Sequence, residues 1–246
     1  MRYGIIADIH SNIEALLTVM EKMRAEGVEK ILCLGDLIGY NASPKECIEV
    51  LMGAGVECIN GNHDRFLTGA SPIDPSVKKE TIQVIEWSRE QLTKPQVEWL
   101  RALPKIKVVD MNFLMVHGSP RHEDEYILTI DIIRENIVFM QNNYLGLDIC
   151  FFGHTHAPLF VCRGQLETDL HEPKTFKLEP MKTYLINPGS VGQPRDGSPK
   201  AAFGVFDTTE KTMAYHRVEY DVLSTQGRII AAGFDRKIAR RLELGK

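Results

Sequence analysis

No apolar run in the sequence approaches the roughly 20 residues that a membrane-spanning helix requires, and the opening stretch Met1–His10 is interrupted by Asp8 too early to act as a signal peptide. There is also no internal repeat, no low-complexity tract and no linker-like segment, so a single α/β domain over residues 1–246 is expected. Nor is there an excess of basic charge: the formal net charge of −4 argues against an electrostatic nucleic-acid footprint and names no partner. No two of the five cysteines stand at the C-x2-C spacing of a thiolate metal site, and their odd number argues against a disulfide framework. Cys33, Cys58 and Cys150 lie inside apolar runs, where a thiol packs as a small hydrophobe. Reduced thiols fit a reducing compartment, and the expected location is the cytoplasm.

What is present is a chain of 246 residues, 43% hydrophobic and 25% charged, long enough to bury a large core. Arg2–Ala7 reads as a strand. Ile13–Glu26 reads as a helix, with Ile13, Leu16, Leu17, Met20 and Met23 at helical spacing, Asn12 as its cap and Gly27 as its end. Lys30–Leu34 is the next strand, Ser43-Pro44-Lys45-Glu46 opens a second helix with a capping-box pattern, and Val56–Ile59 is a third strand. This β-α-β-α-β order predicts a partly parallel sheet with helices packed on it. Helices are expected from Asp74-Pro75 to about Leu92, from about Pro95 to before Pro104, and over Asp131–Gln141. Lys105–Asp110 and Phe113–Val116 form a strand pair around a tight turn, and Asp148–Phe152 is another buried strand. Strands then dominate (Leu159–Cys162, Thr183–Ile186, Ala201–Phe206, Lys211–Val218), before two helices over Val222–Ala232 and Asp235–Leu242.

Five of the apolar runs end in polar clusters: Asp8-Ile9-His10, Gly35-Asp36, Asn60-Gly61-Asn62-His63-Asp64, His117-Gly118 and Gly153-His154-Thr155-His156. Sites in open α/β sheets are built past the carboxyl ends of strands, where rigid elements hold side chains and loops leave room for substrate. Taken singly, each residue has an ordinary structural role, as a turn former, a helix cap or a satisfied core histidine. Together they include five of the eight histidines, and independent structural roles do not account for every strand of this half ending the same way. The donors are Asp, His and Asn with no Cys, a set suited to Mn, Fe, Zn or Ni. They outnumber what one tetrahedral ion takes, which suggests two divalent metal ions sharing a carboxylate, with Asp36 the natural bridge.

In this order, Asp8-x-His10, Gly35-Asp36, Gly61-Asn62-His63-Asp64, His117-Gly118 and Gly153-His154-x-His156 resemble the calcineurin-like metallophosphoesterases. Stretches outside the motifs, such as Gly35–Glu46 and Asn187–Pro199, are similar to the small prokaryotic cap-free members, and the resemblance spans nearly the whole chain. It implies a four-layer α/β/β/α sandwich of two mixed β-sheets with a dinuclear site at their common edge. It further implies Asp8, His10 and His156 on one metal, Asn62, His117 and His154 on the other, and Asp36 between them. The implied activity is that of a phosphodiesterase or phosphatase with a metal-bridging hydroxide as nucleophile, and manganese is the first choice of metal. His63 matches the family's general acid, which protonates the leaving oxygen.

Arg65 and Arg195 are candidate phosphate clamps, since guanidinium matches phosphate oxygens bidentately. Asp64 is either a turn former or a support for a neighbouring side chain. The acidic run Arg121–Tyr126 reads as a solvated loop. The residues after Asp36, Leu37-Ile38-Gly39-Tyr40, lack the further Asp and Arg of protein Ser/Thr phosphatases. A small phosphoester, with a cyclic or dinucleotide among the candidates, is therefore the expected substrate. Two other readings stand beside this one: a non-catalytic interaction module of the same fold, and a nuclease using the same metals.

Overall fold

A computed structural model describes all residues 1–246. In chain order the elements are β1 (Arg2–Ile6), α1 (Ile13–Ala25), β2 (Lys30–Cys33), α2 (Pro44–Gly53), β3 (Glu57–Cys58), α3 (Asn62–Thr68), α4 (Lys79–Gln91), α5 (Lys94–Ala102), β4 (Ile106–Val109) and β5 (Phe113–Val116). There follow α6 (Ile130–Asn143), β6 (Ile149–Phe151), β7 (Leu159–Cys162), β8 (Gln165–Glu167), β9 (Lys174–Lys177), β10 (Tyr184–Asn187), β11 (Ala201–Asp207), β12 (Thr212–Val218), α7 (Val222–Ala231) and α8 (Arg236–Leu244).

The strands form two six-stranded mixed sheets, ordered β3-β2-β1-β11-β12-β9 and β4-β5-β6-β10-β7-β8. Parallel pairing joins β1, β2 and β3 in the first sheet and β5, β6 and β10 in the second, and the remaining strands pair antiparallel. Alternation along each central strand explains the layering. Ile5 and Leu32 of the first sheet meet Phe113, Met115, Phe151 and Ile186 of the second in a core between the sheets. Their neighbours Ile6 and Cys33 face outward onto α1 and α2, where Leu16, Val19, Ile48 and Leu51 cover them. Leu114, Cys150 and Leu185 face the other way, onto Ile133 and Met140 of α6. The result is the expected α/β/β/α sandwich.

Local signals account for much of this. The Asn12 side chain accepts from the Ala15 N–H at 3.1 Å, Glu14 lies in the first turn of α1 and Lys22 and Arg24 in the last, and Gly27 follows at φ +71°. All five cysteines are buried and unpaired. No helix is long and apolar enough to cross a membrane.

The structure departs from expectation in several places. Ser43 makes no side-chain bond to α2; its ψ of 51° lies outside the extended region that capping residues occupy, and Pro44 alone opens the helix. The Asp74-Pro75 signal is used by a turn, in which Asp74 accepts from the Ser76 N–H at 2.7 Å, so α4 starts at Lys79. β8 and β9 were not foreseen because they are largely exposed and polar, and α3 because its first residues are polar and buried, without apolar periodicity.

Candidate metal centre

β1, β2 and β3 point their carboxyl ends to the same edge of the first sheet, as β5 and β6 do in the second, and the donors follow within a few residues of each. To aim side chains inward so soon after a strand, the backbone turns sharply. Asp8, His10, Asp36, His154 and His156 take φ values of 53°, 46°, 56°, 65° and 58°, in the left-handed region that non-glycine residues avoid at a cost of about 1–2 kcal/mol each. Backbone bonds hold these turns against each other. Asp8 N–H donates to Gly35 O at 3.1 Å, His10 N–H to Asp36 O at 3.0 Å and Gly153 N–H to His117 O at 2.9 Å.

Two groups of ligand atoms converge, Asp8, His10, Asp36 and His156 in one and Asp36, His117 and His154 in the other, each with its atoms within 4.8 Å of one another. Asp36 belongs to both. Its Oδ2 lies 3.5 Å from His10 Nε2 and 3.4 Å from His117 Nε2, while its Oδ1 accepts the His63 backbone N–H at 2.9 Å. Asn62 Oδ1 is 3.1 Å from His117 Nε2, at the second group. All seven residues expected as metal ligands are thus gathered at one edge of the sandwich.

The imidazoles are oriented by carbonyls behind them. Nδ1 of His10, His117 and His156 lies 2.9, 2.8 and 2.6 Å from the carbonyl oxygens of Ile38, Leu34 and Gln193. A carbonyl only accepts, so Nδ1 donates and Nε2 is turned to the centre as the potential ligand. His10 Nε2 and His156 Nε2 face each other at 3.0 Å, which in neutral rings opposes two lone pairs, an arrangement that a cation between them relieves. Asp8 Oδ2 and His154 Nε2 are buried with no partner at all. Unsatisfied oxygen and imidazole nitrogen at one buried place fit divalent metal ions.

Charge follows the same logic. Burial pushes His10 and His156 well below the usual histidine range and His154 down to about 3, keeping these rings neutral and able to donate a lone pair. Burial would lower His117 as well, but Asp36 and Asp8 beside it hold it up at about 9. Burial raises Asp8 to about 7, whereas Asp36, against its own burial, is held well below the carboxylate range by His117, His63 and His10.

His63 stands beside both groups, its ring 4.7 Å from those of His10 and Tyr40, with a buried Nδ1 that has no partner. It fits because residue 39 is glycine: a Cβ there would come within 2.3 Å of His63 Nδ1, and φ is +109°. Asp64 accepts from the backbone N–H groups of Gly61 (2.9 Å), Leu37 (3.0 Å) and Ile38 (3.3 Å), tying the loop after β2 to the start of α3. It therefore supports backbone rather than a neighbouring side chain.

Arg65 is placed differently from expectation. Its buried guanidinium donates to Asn60 Oδ1 at 3.1 Å and to Asp124, with Glu123 3.9 Å away, so it tethers the 121–126 loop. That loop is correspondingly not a free solvated one. Glu123 also pairs with Lys105 at 2.6 Å, and Glu125 accepts from Ser119 and Asn136 at 2.7 Å and pairs with Arg121. Arg195 lies at the centre's rim, its backbone N–H on His156 O at 3.1 Å and its guanidinium 5.3 Å from the Tyr40 ring centroid. Two tyrosines escaped the sequence reading. Tyr126 stacks on His154 with centroids 3.8 Å apart, and Tyr40 packs edge-on to His10 at 4.6 Å. Tyr40 directly follows the Gly35–Gly39 stretch, which was the available signal; nothing local marks Tyr126.

Residues 1–211 match the family model of the calcineurin-like phosphoesterase superfamily domain. The chain is 36% identical over 248 aligned positions to an uncharacterized protein of Methanocaldococcus jannaschii, covering 99% of this chain and 98% of that one. Among solved structures, a metallophosphoesterase from Sphaerobacter thermophilus superposes with a TM-score of 0.86 at 32% identity, over 100% of this chain and 99% of the other. A hypothetical protein from Pyrococcus horikoshii shares the fold, with a TM-score of 0.82 at 22% identity over 100% and 98% of the two chains. The buried Asp and His clusters at the sheet edges thus occur in a chain that belongs to the calcineurin-like phosphoesterase superfamily.

Proposed function

We propose that the protein hydrolyses a small phosphodiester or phosphomonoester using two divalent metal ions. The observation that carries this reading is the position of Asp36 Oδ2, about equally far from a histidine of each donor group. Asp8, His10 and His156 would hold one ion, Asn62, His117 and His154 the other, and Asp36 both. Such ions, when bound, supply an activated water at neutral pH and neutralise charge on the phosphoryl oxygens. Manganese is our first choice, with iron, zinc or nickel compatible with the same oxygen and imidazole donors.

The chain's own groups complete the reaction. The carbonyls of Ile38, Leu34 and Gln193 hold three imidazoles in the tautomer that presents Nε2. His63 gives a proton to the leaving oxygen. Burial holds it at about 4, and an anionic phosphoryl oxygen within hydrogen-bond reach favours its charged form, so the substrate itself helps to load the proton. Arg195, at the rim, offers a guanidinium to phosphate oxygens of the substrate. Five buried, unpaired cysteines suit work in the cytoplasm.

The test is hydrolysis of bis(p-nitrophenyl) phosphate and p-nitrophenyl phosphate by metal-stripped protein with Mn, Ni, Zn, Fe or Mg restored singly. Turnover that needs metal and collapses in Asp36→Asn supports the reading. No turnover of either ester with any metal would overturn it in favour of a binding module.

A further inference from the structure

Arg195 is not alone at the rim. Arg241, from α8 and beyond the residues matched by the family model, also packs over Tyr40, its guanidinium carbon 5.6 Å from the ring centroid, beside the 5.3 Å of Arg195. Tyr40 in turn touches His10 and His63, so one phenol ring links two guanidinium groups to the metal centre.

The placement of Arg241 is built. Past α8, Gly245 adopts φ +60°, its carbonyl accepts the Gly197 N–H at 3.0 Å, and a Cβ on it would come within 2.5 Å of Ser198 N. The end of the helix is thus fastened to the loop that carries Arg195. That loop is itself fixed by the ion pair of Asp196 with Arg217.

Neither cation pairs with an Asp or Glu side chain. Arg65 and Arg217, withdrawn from solvent like them, each form an ion pair with an Asp or Glu side chain, whereas Arg195 and Arg241 form none with such a side chain. Arg195 donates to Gln193 Oε1 at 3.1 Å, yet its Nε is buried without a partner. Arg241 donates from Nε to Lys246 O at 2.8 Å, which leaves its terminal nitrogens for something else. Two half-buried like charges held side by side, with the Arg195 Nε and the Arg241 terminal nitrogens unpartnered, favour an anion that joins them. Planar guanidinium forks match the oxygens of phosphate in particular.

We infer that Arg195 and Arg241, braced on Tyr40, form a second anion subsite beside the metal centre, and that the substrate is a phosphoester bearing a second phosphate next to the one cleaved. This rests on the phosphoesterase reading above and narrows its substrate class. The ions that the metal donors would hold face the scissile phosphate, and the two arginines face its neighbour. Burial and the nearby Arg195 both pull the Arg241 guanidinium below its usual value.

The probes are methylenediphosphonate, which carries two phosphonates and is not hydrolysed, and methylphosphonate, which carries one. Calorimetric titration of manganese-loaded protein gives the ratio of their affinities. Arg241→Gln is expected to reduce that ratio about tenfold, the size of one lost charge-assisted contact, and Arg241→Lys to restore part of it. A general loosening of the fold would weaken both ligands together and leave the ratio where it was. An unchanged ratio in Arg241→Gln and in Arg195→Gln overturns the subsite, even if diesters are hydrolysed. Absence of any hydrolysis overturns the functional reading instead, because the ratio is read from binding alone.

Discussion

Asp36 is the one side chain common to both donor groups, so its loss should be felt by both. Asp36→Asn keeps the shape and the acceptor for the His63 N–H but removes the shared charge. Phosphoester turnover is expected to fall by about a thousandfold or more, with metal content, measured by mass spectrometry, dropping by more than one ion per chain. For His63, the signature is dependence on the leaving group. His63→Gln should cost about a hundredfold with an alkyl leaving group that needs a proton and little with p-nitrophenolate, which does not; equal losses for both would remove it as the acid. At this scale the clustering of the candidate donors was legible, because each is a polar residue interrupting an apolar run just where a strand ends. The place of Arg65 was not legible, because the match of guanidinium to phosphate says nothing of where a long side chain turns, and here it turns to Asp124. Tyr126 and Arg241 were illegible: their neighbours His154 and Tyr40 are remote in sequence, and only the fold joins them.

Among elements, the loops do the positioning. In the 121–126 loop, burial alone would raise Glu125, but Arg121, Asn136 and Ser119 hold it down to about 2. A depressed carboxylate contributes stability that is fully present above its unfolded value of about 4.3 and is lost as pH falls toward the folded value. The urea midpoint of Glu125→Gln should therefore lie below that of the parent at pH 7, and the gap should narrow as pH drops from about 4.5 to about 3. In the loop after β2, Gly39→Ala forces a Cβ against His63 Nδ1 at a strained φ. We expect about 1–2 kcal/mol of lost stability in denaturant titration, and lower turnover because His63 must move. Elements with an apolar face and a clear end, such as α1, were readable from spacing. β8 and β9 were not, because exposed edge strands carry polar residues that look like loop, and α3 was not, because its buried face is polar for the sake of the site.

For the molecule as a whole, seven candidate donors crowded at one buried edge mean that, on the proposed function, the folded state is the one that would bind cations. At a free metal concentration 100 times its dissociation constant, stabilisation is about 2.7 kcal/mol per site, or roughly 5–10 °C in Tm for a chain of this size. Thermal scans with manganese and with a chelator check this, and coincident curves would contradict it. The two-sheet architecture came from resemblance rather than from periodicity, since alternation along a strand does not reveal its partner. Arg2 bonds to Asp207, 205 positions away, and β10 lies between β6 and β7. That long-range pairing bears on how the protein is made. While β1, β2 and β3 can assemble as they leave the ribosome, β1 keeps an open edge until β11 has been translated, and the Gln193 carbonyl that orients His156 arrives only shortly before it. On the metal-dependent function proposed above, cofactor loading would be a late event in biogenesis, since a stalled nascent chain presents an unpaired hydrophobic strand before the donor groups are complete.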